Sequence, residues 1–309
     1  MDSKTTLLTI VITILFILFC FIQAYFIEPE KLHINNQNLY LPYWNKQLDG
    51  LKVCVISDLH IGTRNMSLNK LNTIVEEINA KNPDIIFILG DFDAISVTYA
   101  KFAPSDISKI LGKLSAPLGV ISVLGNHDYN PPAVIKHILK DAKIIILEDT
   151  QVNLTHKGHR FQVHGTKDWW HFDIDIKSNL KNSNIPTIVL SHNPDIFPEV
   201  PPHVALTLSG HTHGGEVRFP LLGSPFVPSK HCNKYAKGYV IENSKHLFVT
   251  SGLATLSRFR FFNPPEIVIL NLFAQNKETE IKHNIKHKFF DILSNYNLKK
   301  YYKLKSILG

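Results

Sequence analysis

The first strong pattern along the chain is an uninterrupted apolar run near its amino terminus. Between Lys4 and Glu28 lie 23 uncharged residues, rich in Leu, Ile, Phe and Val, and about 20 such residues suffice to cross the hydrocarbon core of a bilayer as a helix. The run has no polar face, which argues against a helix in a soluble core. A cleaved signal peptide is the rival interpretation, but bulky residues rather than small ones follow Ala24. Residues 1–27 are therefore predicted to be a membrane anchor, with its orientation left open.

From Leu51 onwards the chain alternates short β-branched apolar runs with polar loops and stretches of helical spacing. Apolar residues recur at helical spacing between Leu68 and Asn79, and helices are also expected at 107–114 and 131–139. The expected strands are 51–57, 84–89, 119–124, 143–147, 161–164, 187–190, 204–208, 246–250 and 267–272. Such alternation predicts an α/β sandwich with sheets inside and helices outside. We expect a linker at 28–50 that leads into one domain at 51–273, followed by a tail at 274–309.

Charge is distributed unevenly along the chain. The 309 residues carry a net charge of +7, which alone fits a nucleic-acid binder, a protein on an anionic membrane or a handler of phosphorylated substrates. The tail holds eight lysines against three acidic residues, so most of the excess lies there and nucleic-acid binding loses support. The tail is expected either to lie on an anionic bilayer as an amphipathic helix or to be disordered.

Three cysteines without a C-x-x-C pair exclude a disulfide scaffold.

Polar groups follow five of the predicted strands, each at the carboxyl end of its strand. In chain order they are Asp58-Leu59-His60, Gly90-Asp91, Gly125-Asn126-His127-Asp128, His192, and Gly210-His211-Thr212-His213. Ligands bind at the carboxyl ends of strands in open sheets, so these groups are expected to converge. The glycines that precede three of the groups suit tight loops with close backbone approach. Each motif alone is weak evidence, whereas five in this order indicate one site.

The residue types in these motifs suit a pair of metal ions. Carboxylate, imidazole and amide oxygen form a ligand set for Mn, Fe or Zn, and a carboxylate between two ions can bridge them. Two such ions hold a phosphoryl oxygen, generate hydroxide from water and stabilise an in-line displacement. We therefore expect two divalent ions, manganese first and iron or zinc as alternatives, and a phosphorylated substrate.

The motif order and its flanking sequence point to a known family. The series D-x-H, GD, GNHD, H and GHTH, with ISDLHIG, LSGHTHGGEV and FFNPPEIVIL, resembles the calcineurin-like metallophosphoesterase superfamily over residues 51–273. It is most similar to a membrane-anchored bacterial branch that includes phosphodiesterases and a UDP-2,3-diacylglucosamine pyrophosphatase of lipid A synthesis. The resemblance implies a four-layer αββα sandwich with the metal site at the carboxyl ends of the strands. It implies one ion on Asp58, His60, Asp91 and His213, and another on Asp91, Asn126, His192 and His211.

The resemblance also gives His127 a role, which is to donate a proton to the leaving oxygen or to stabilise charge on the phosphoryl group. Asp128 is interpreted as a polar support or a turn residue, and the turn residue is favoured. The family pattern G-D-x-x-D places a second Asp that orients the catalytic histidine, but here Ala94 has that place and Asp93 comes one residue early. Successive side chains of an extended segment point in opposite directions, so Asp93 is not expected to reach His127. This departure weakens the expected dyad but not the set of metal ligands.

Substrate contacts beyond the metals are expected from cations and aromatic residues. The candidate cations for a phosphate ester are Arg64, Arg258 and Arg260, with surface solvation as the alternative. The aromatic segment that follows Gly165 is expected either to close a core or to meet an acyl chain or the bilayer interface, and its residues are Trp169, Trp170 and Phe172.

Together with the anchor, the resemblance implies a membrane-anchored hydrolase that cleaves a phosphodiester or pyrophosphate bond by metal-bound hydroxide. The expected substrate is lipid-linked or nucleotide-linked, first of all UDP-2,3-diacylglucosamine, which favours the cytoplasmic side of the inner membrane. The alternatives are a broad phosphodiesterase or phosphomonoesterase of the same fold, and a membrane-bound metal-binding scaffold without catalysis. No nucleic-acid partner is expected, since the domain shows no basic groove interleaved with aromatic residues.

Overall fold

The computed structural model describes residues 2–92, 101–130, 132–180 and 185–276. Within these ranges twelve strands form two six-stranded mixed sheets. The strands are β1 (His33–Leu41), β2 (Leu51–Ile56), β3 (Ile85–Ile88), β4 (Val120–Ser122), β5 (Ile145–Ile146), β6 (Thr150–His156), β7 (His159–Gly165), β8 (Thr187–Leu190), β9 (Leu206–Ser209), β10 (Gly238–Glu242), β11 (Lys245–Val249) and β12 (Glu266–Ala274). The first sheet has the order β1-β12-β2-β3-β4-β5 and the second β10-β11-β9-β8-β7-β6.

Helix α1 (Ser3–Ile22) lies at the amino terminus. Three helices of the domain cover the first sheet, namely α2 (Leu68–Ala80), α3 (Pro104–Leu111) and α4 (Pro132–Asp141). Helix α2 begins where the Ser67 side chain accepts the N–H of Lys70, and its apolar stripe Leu71, Ile74, Val75 and Ile78 is buried as its spacing predicts. The short helix α5 (Ile176–Asn179) and a 3-10 segment at Pro194–Glu199 lie on the second sheet.

Three apolar clusters separate the layers of the domain. The largest side chains between the two sheets include Phe87, Phe161 and Phe248. A second cluster joins α2, α3 and α4 to the other face of the first sheet, and a third joins Ile176 of α5 and Phe197 of the 3-10 segment to the second sheet. The layers therefore follow the order helices, sheet, sheet, helices, which confirms the predicted α/β sandwich.

The segment 28–50, expected to be a linker, contributes the edge strand β1. This strand pairs in parallel with β12, from His33 opposite Glu266 to Leu41 opposite Ala274. Its sequence HINNQNLYL is mostly polar because one edge and much of one face meet solvent. Strand β1 therefore begins eleven residues after Ile22, the last residue of α1.

Helix α1 projects from the domain with none of its residues buried. The helical segment Ser3–Glu30 is apolar and long enough to cross a membrane by length and composition. The hydroxyls of Thr9 and Thr13 donate to carbonyls one turn earlier, so neither is left unpaired along the apolar surface. An amino-terminal membrane anchor is compatible with this helix.

Candidate metal centre

The five predicted motifs meet at one edge of the molecule, where the parallel strands of both sheets end. Strands β2, β3 and β4 run in parallel in the first sheet, and β7, β8 and β9 run in parallel in the second. The loops that follow them are joined directly. Asp58 donates its backbone N–H to the carbonyl of Gly90, His60 donates to that of Asp91, and Gly210 donates to that of His192. Across the sheets, His211 donates its backbone N–H to the carboxylate of Asp58 at 3.2 Å, so the two sheets share one ligand-bearing edge.

Two glycines make this close approach possible. A Cβ on Gly90 would lie 2.3 Å from the backbone nitrogen of Gly125, and a Cβ on Gly125 would lie 2.2 Å from Oδ1 of Asp91. Gly90 also has φ of +91°, which side chains rarely adopt. Only glycine fits at either position, as the sequence predicts.

The candidate ligands form two groups that share Asp91. One group contains Asp58, His60, Asp91 and His213, and the other contains Asp91, His192 and His211. Oδ2 of Asp91 lies 3.7 Å from Nε2 of His60 and 3.3 Å from Nε2 of His192. Oδ1 of Asn126 lies 3.2 Å from Nε2 of His192, which adds the seventh predicted ligand to the second group. A carboxylate in this position can bridge two ions.

The ligand atoms in these groups are arranged to bind a cation and not to hydrogen-bond to one another. Nδ1–H of His213 donates to the carbonyl of Ala254, and Nδ1–H of His192 donates to that of Leu89. In the neutral form of each ring, Nε2 therefore carries a lone pair that can bind a metal ion. That of His213 faces Nε2 of His60 at 3.4 Å and Oδ1 of Asp58 at 3.8 Å. Acceptors that converge in a buried site require a positive charge between them, so these residues fit divalent ions.

The backbone at the site is held in unfavourable conformations. Five of the seven candidate ligands have positive φ, namely Asp58, His60, Asp91, His211 and His213. Few non-glycine residues adopt this region, and each costs of the order of 1 kcal/mol or more. Such strain persists only where surrounding contacts enforce it, which is typical of functional sites.

Electrostatics favour the ligand forms of most of these side chains. Burial lowers the pKa of His213 to about 4 and holds the pKa of His211 well below its usual range, so both imidazoles stay neutral, as metal binding requires. Burial alone would raise the pKa of Asp91, but the imidazoles of His192 and His60 hold it well below its usual range. Burial lowers the pKa of His192, but the Asp91 carboxylate outweighs it and raises this pKa to about 10. Asp91 is therefore an ionised carboxylate beside one charged imidazole, and a metal ion on His192 must displace that proton.

His127 lies at the exposed side of the ligand groups. Its backbone N–H donates to Oδ1 of Asp91 at 3.0 Å, and its ring meets the ring of His60 edge-on with centroids 5.2 Å apart. The side chain is half-buried. The residues that bear on the expected dyad, Asp93 and Ala94, lie outside the described residues.

Asp128 lies in a 3-10 turn and is also a support of the site, so the interpretation as a turn residue alone is incomplete. Its buried carboxylate accepts the backbone N–H groups of Gly125, Asp91 and Phe92, each at 2.8 Å. These bonds tie the loop after β3 to the loop after β4. The sequence shows an acidic residue two places after Asn126. It does not show that this side chain points into the domain and back toward Gly125, because that direction depends on the 3-10 turn at Asn126–Tyr129.

Arg260 does not reach the solvent-facing side of the site, which corrects its expected contact with substrate. Its guanidinium is fully buried and donates to the carbonyls of Asn263, Ser251 and Ala254 at 3.1, 2.8 and 3.0 Å. The carbonyl of Ala254 also accepts from His213, so Arg260 supports a candidate ligand from behind. The reason is that the FRFFNPP segment turns inward and carries the guanidinium into a nest of carbonyl groups.

The other two predicted arginines lie at the carboxyl-terminal base of helix α1. Nη1 of Arg64 donates to the hydroxyl of Tyr25 at 3.2 Å. The guanidinium of Arg258 lies over the ring of Tyr25, 5.0 Å from its centroid, and pairs with Glu30 at 3.7 Å. Both cations therefore stand where the apolar helix meets the domain.

Trp170 forms a wall of the second ligand group. Its half-exposed indole meets the ring of His211 edge-on, with centroids 4.3 Å apart. The buried carboxylate of Asp168 holds this segment, since it accepts the N–H groups of Trp170 and His171. Trp169 instead packs on the third apolar cluster, and Phe172 packs on Tyr129. The aromatic segment thus has one member that faces the site.

Comparison with known proteins agrees with this geometry. Residues 51–215, just over half of the chain, match the family model described as calcineurin-like phosphoesterase. The chain is 28% identical to the uncharacterized metallophosphoesterase YkuE of Bacillus subtilis, over 82% of this chain and 90% of that protein. It is 28% identical to the phosphodiesterase YaeI of Escherichia coli, over 75% and 86%. It is 27% identical to the UDP-2,3-diacylglucosamine pyrophosphatase LpxG of Chlamydia trachomatis, over 81% and 92%.

Proposed function

The chain belongs to the calcineurin-like phosphoesterase family and is a metal-dependent phosphoester hydrolase, and on that premise we propose that it is a membrane-anchored two-metal enzyme that cleaves phosphodiester or pyrophosphate bonds. The observation that carries this proposal is the pair of ligand groups that share Asp91 at the joint edge of the two sheets. The exposed apolar helix α1 supports the anchor.

Two divalent ions, when bound, supply the charge that holds a phosphoryl oxygen and activates water. We assign Asp58, His60, Asp91 and His213 to one ion and Asp91, Asn126, His192 and His211 to the other. His127 is half-exposed beside them and its backbone N–H donates to Asp91, and we assign it to donate a proton to the leaving oxygen. Arg64 and Arg258 are assigned to the phosphate or headgroup of a substrate that arrives along the anchor.

The proposed substrate is lipid-linked, with UDP-2,3-diacylglucosamine as the first compound to test. The support is the similarity to LpxG, whose name states that activity, together with the anchor that would hold the domain at a bilayer. A nucleotide-linked lipid places the domain on the cytoplasmic face of the inner membrane.

The test uses the purified full chain in detergent with Mn²⁺. Its substrates are UDP-2,3-diacylglucosamine, bis-p-nitrophenyl phosphate and p-nitrophenyl phosphate. The proposal expects about two ions per chain by elemental analysis, and a loss of about 10²- to 10⁴-fold in turnover for His127→Ala. His137→Ala is the matched control, because this exposed histidine lies on α4 beside Asp141. Two bound ions without turnover of any substrate would reject the enzyme, and cleavage of the simple esters alone would reject the lipid substrate.

A further inference from the structure

An ordered loop between β9 and β10 displays large apolar side chains to solvent. In residues 219–226, Leu221 is fully exposed, Leu222 is 83% exposed and Phe226 is 75% exposed. Backbone bonds between Phe219 and Gly223 close the turn, at 2.8 and 3.0 Å. Asn233 fixes it further, since its side chain accepts the N–H of Ser224 and donates to the carbonyl of the same residue. The loop is therefore built to hold leucines outward.

At the tip of the loop, both the backbone conformation and the exposure of the apolar side chain are energetically unfavourable. Leu221 has φ of +67°, a conformation that glycine or asparagine adopts at less cost. A soluble surface gains nothing from leucine there, and a contiguous exposed apolar patch on a folded domain marks an interaction site.

The loop lies next to the base of the anchor. The ring of Phe259 packs on Phe21 and Tyr25, with centroids 5.9 and 5.0 Å apart. Two residues later Phe261 packs on Phe219 at 6.1 Å. Residues 259–261 span at most about 7 Å, so anchor and loop share one side of the domain. The next residue, Phe262, is itself exposed there.

The junction between the anchor and this side is fixed by polar contacts. Arg260 donates its N–H to the carbonyl of Ala24 at 2.9 Å, and Asn263 donates its N–H to Glu28 at 2.7 Å. The base of α1 therefore has a set position relative to the loop. If α1 crosses a bilayer, the loop meets the same interface.

We propose that residues 219–226, with Phe262, form a second membrane contact that inserts Leu221 and Leu222 into the bilayer on which α1 is anchored. This inference rests on the proposed anchor. The partner is the lipid surface itself, because transfer of exposed leucines from water to an apolar phase is favourable and the exposed Arg64 stands near the same side to meet lipid phosphates. A cleft of about 260 Å³ lined by His213, Glu216 and Phe226 opens beside the loop. The contact therefore sets the metal centre against the membrane, within reach of a lipid-linked substrate.

The first test measures depth in the bilayer with the full chain in phospholipid vesicles. An environment-sensitive fluorophore is placed on Leu221→Cys, Leu15→Cys or Tyr43→Cys in a background with Cys20→Ser and Cys232→Ser, which leaves the buried Cys54. Tyr43 is exposed and lies two residues beyond Leu41, the last residue of β1. That end of β1 is about 26 Å from its first residue. The inference expects quenching by nitroxide lipids at 15 and 221, and by aqueous iodide at 43. Iodide quenching at 221 with lipid quenching at 15 overturns the loop contact alone, and iodide quenching at both overturns the anchor too.

The second test measures hydrolysis. Leu221→Asp with Leu222→Asp is expected to lower turnover of UDP-2,3-diacylglucosamine in vesicles about tenfold or more, since tenfold corresponds to only 1.4 kcal/mol. Turnover of soluble bis-p-nitrophenyl phosphate is expected to stay at the wild-type value, which also reports correct folding. Tyr43→Asp places the same negative charge beyond the far end of β1, and it is expected to change neither rate. Equal loss on both substrates, or no loss on vesicles, overturns the inference.

Discussion

Replacement of Asp128 by alanine is expected to destabilise the metal centre, because it removes the buried carboxylate that supports Asp91. Its carboxylate is 1% exposed and accepts three backbone N–H groups at 2.8 Å, from Gly125, Asp91 and Phe92. These bonds hold Asp91 in its strained conformation with positive φ. Without the carboxylate, three buried donors lose an acceptor and the shared ligand loses its support.

The size of the effect follows from the count of donors. A buried donor without its acceptor costs about 1–3 kcal/mol, so Asp128→Ala is expected to lower the free energy of unfolding by about 4 kcal/mol after partial relaxation. This is a large part of the roughly 5–15 kcal/mol that stabilises a domain. Asp128→Asn keeps one oxygen, which in the native carboxylate accepts two of the bonds, and is expected to cost about 1–2 kcal/mol. Metal affinity is expected to fall about 10- to 100-fold in the alanine variant.

Urea unfolding and calorimetric titration with Mn²⁺ measure both effects on the full chain in detergent. Asp84→Ala is the matched control, because its carboxylate accepts the N–H of Lys52 at 2.8 Å at the opposite end of β2 and β3. This control is expected to lose stability and keep metal affinity. Unchanged metal affinity in folded Asp128→Ala would refute the reasoning.

Three further outcomes are expected. Trp170→Ala, which removes the wall beside His211, should raise KM several-fold in steady-state kinetics, with wild-type metal content and with Trp170→Phe intermediate. Arg260→Met should lower the free energy of unfolding by about 3 kcal/mol, since it leaves buried carbonyls without donors, whereas exposed Arg64→Met should change it by less than about 0.5 kcal/mol. Burial lowers the pKa of His164 below 6.5, so the unfolded chain binds a proton that the folded chain excludes. Stability is then lost as pH falls below 6.5, by at most about 1.4 kcal/mol per pH unit, and urea unfolding at pH 7.5 and 5.5 should show a smaller loss in His164→Leu.

Most of the strands that the sequence predicts are buried on both faces, and β5, at a sheet edge, is the exception. Strands β3, β8 and β9 are fully buried, and their continuous apolar runs reveal them. The missed strands β1, β6 and β10 are all at sheet edges. Their side chains are polar or half-exposed, so no run or strict alternation distinguishes them from loops.

The candidate ligands were predictable for a different reason. Each follows a recognisable strand, and parallel strands bring their carboxyl ends together. The roles of Asp128 and Arg260 were not predictable, because they depend on which way a turn directs one side chain. Nothing in the residue types near Arg260 distinguishes a cation that faces a substrate from one that binds buried carbonyls.

The place of β1 in the sheet has a consequence for biosynthesis. This strand leaves the ribosome directly after the anchor, but its neighbour is β12, and residues 42–265 must be made in between. At about 5–20 residues per second, roughly 10 to 45 s pass before that neighbour exists. The segment that docks on the base of the anchor, 259–263, comes just before β12 and is equally late. If α1 enters a membrane, a nascent chain is thus tethered there long before its catalytic edge is complete. A chain that stops short of β12 would then keep its tether without completing the first sheet.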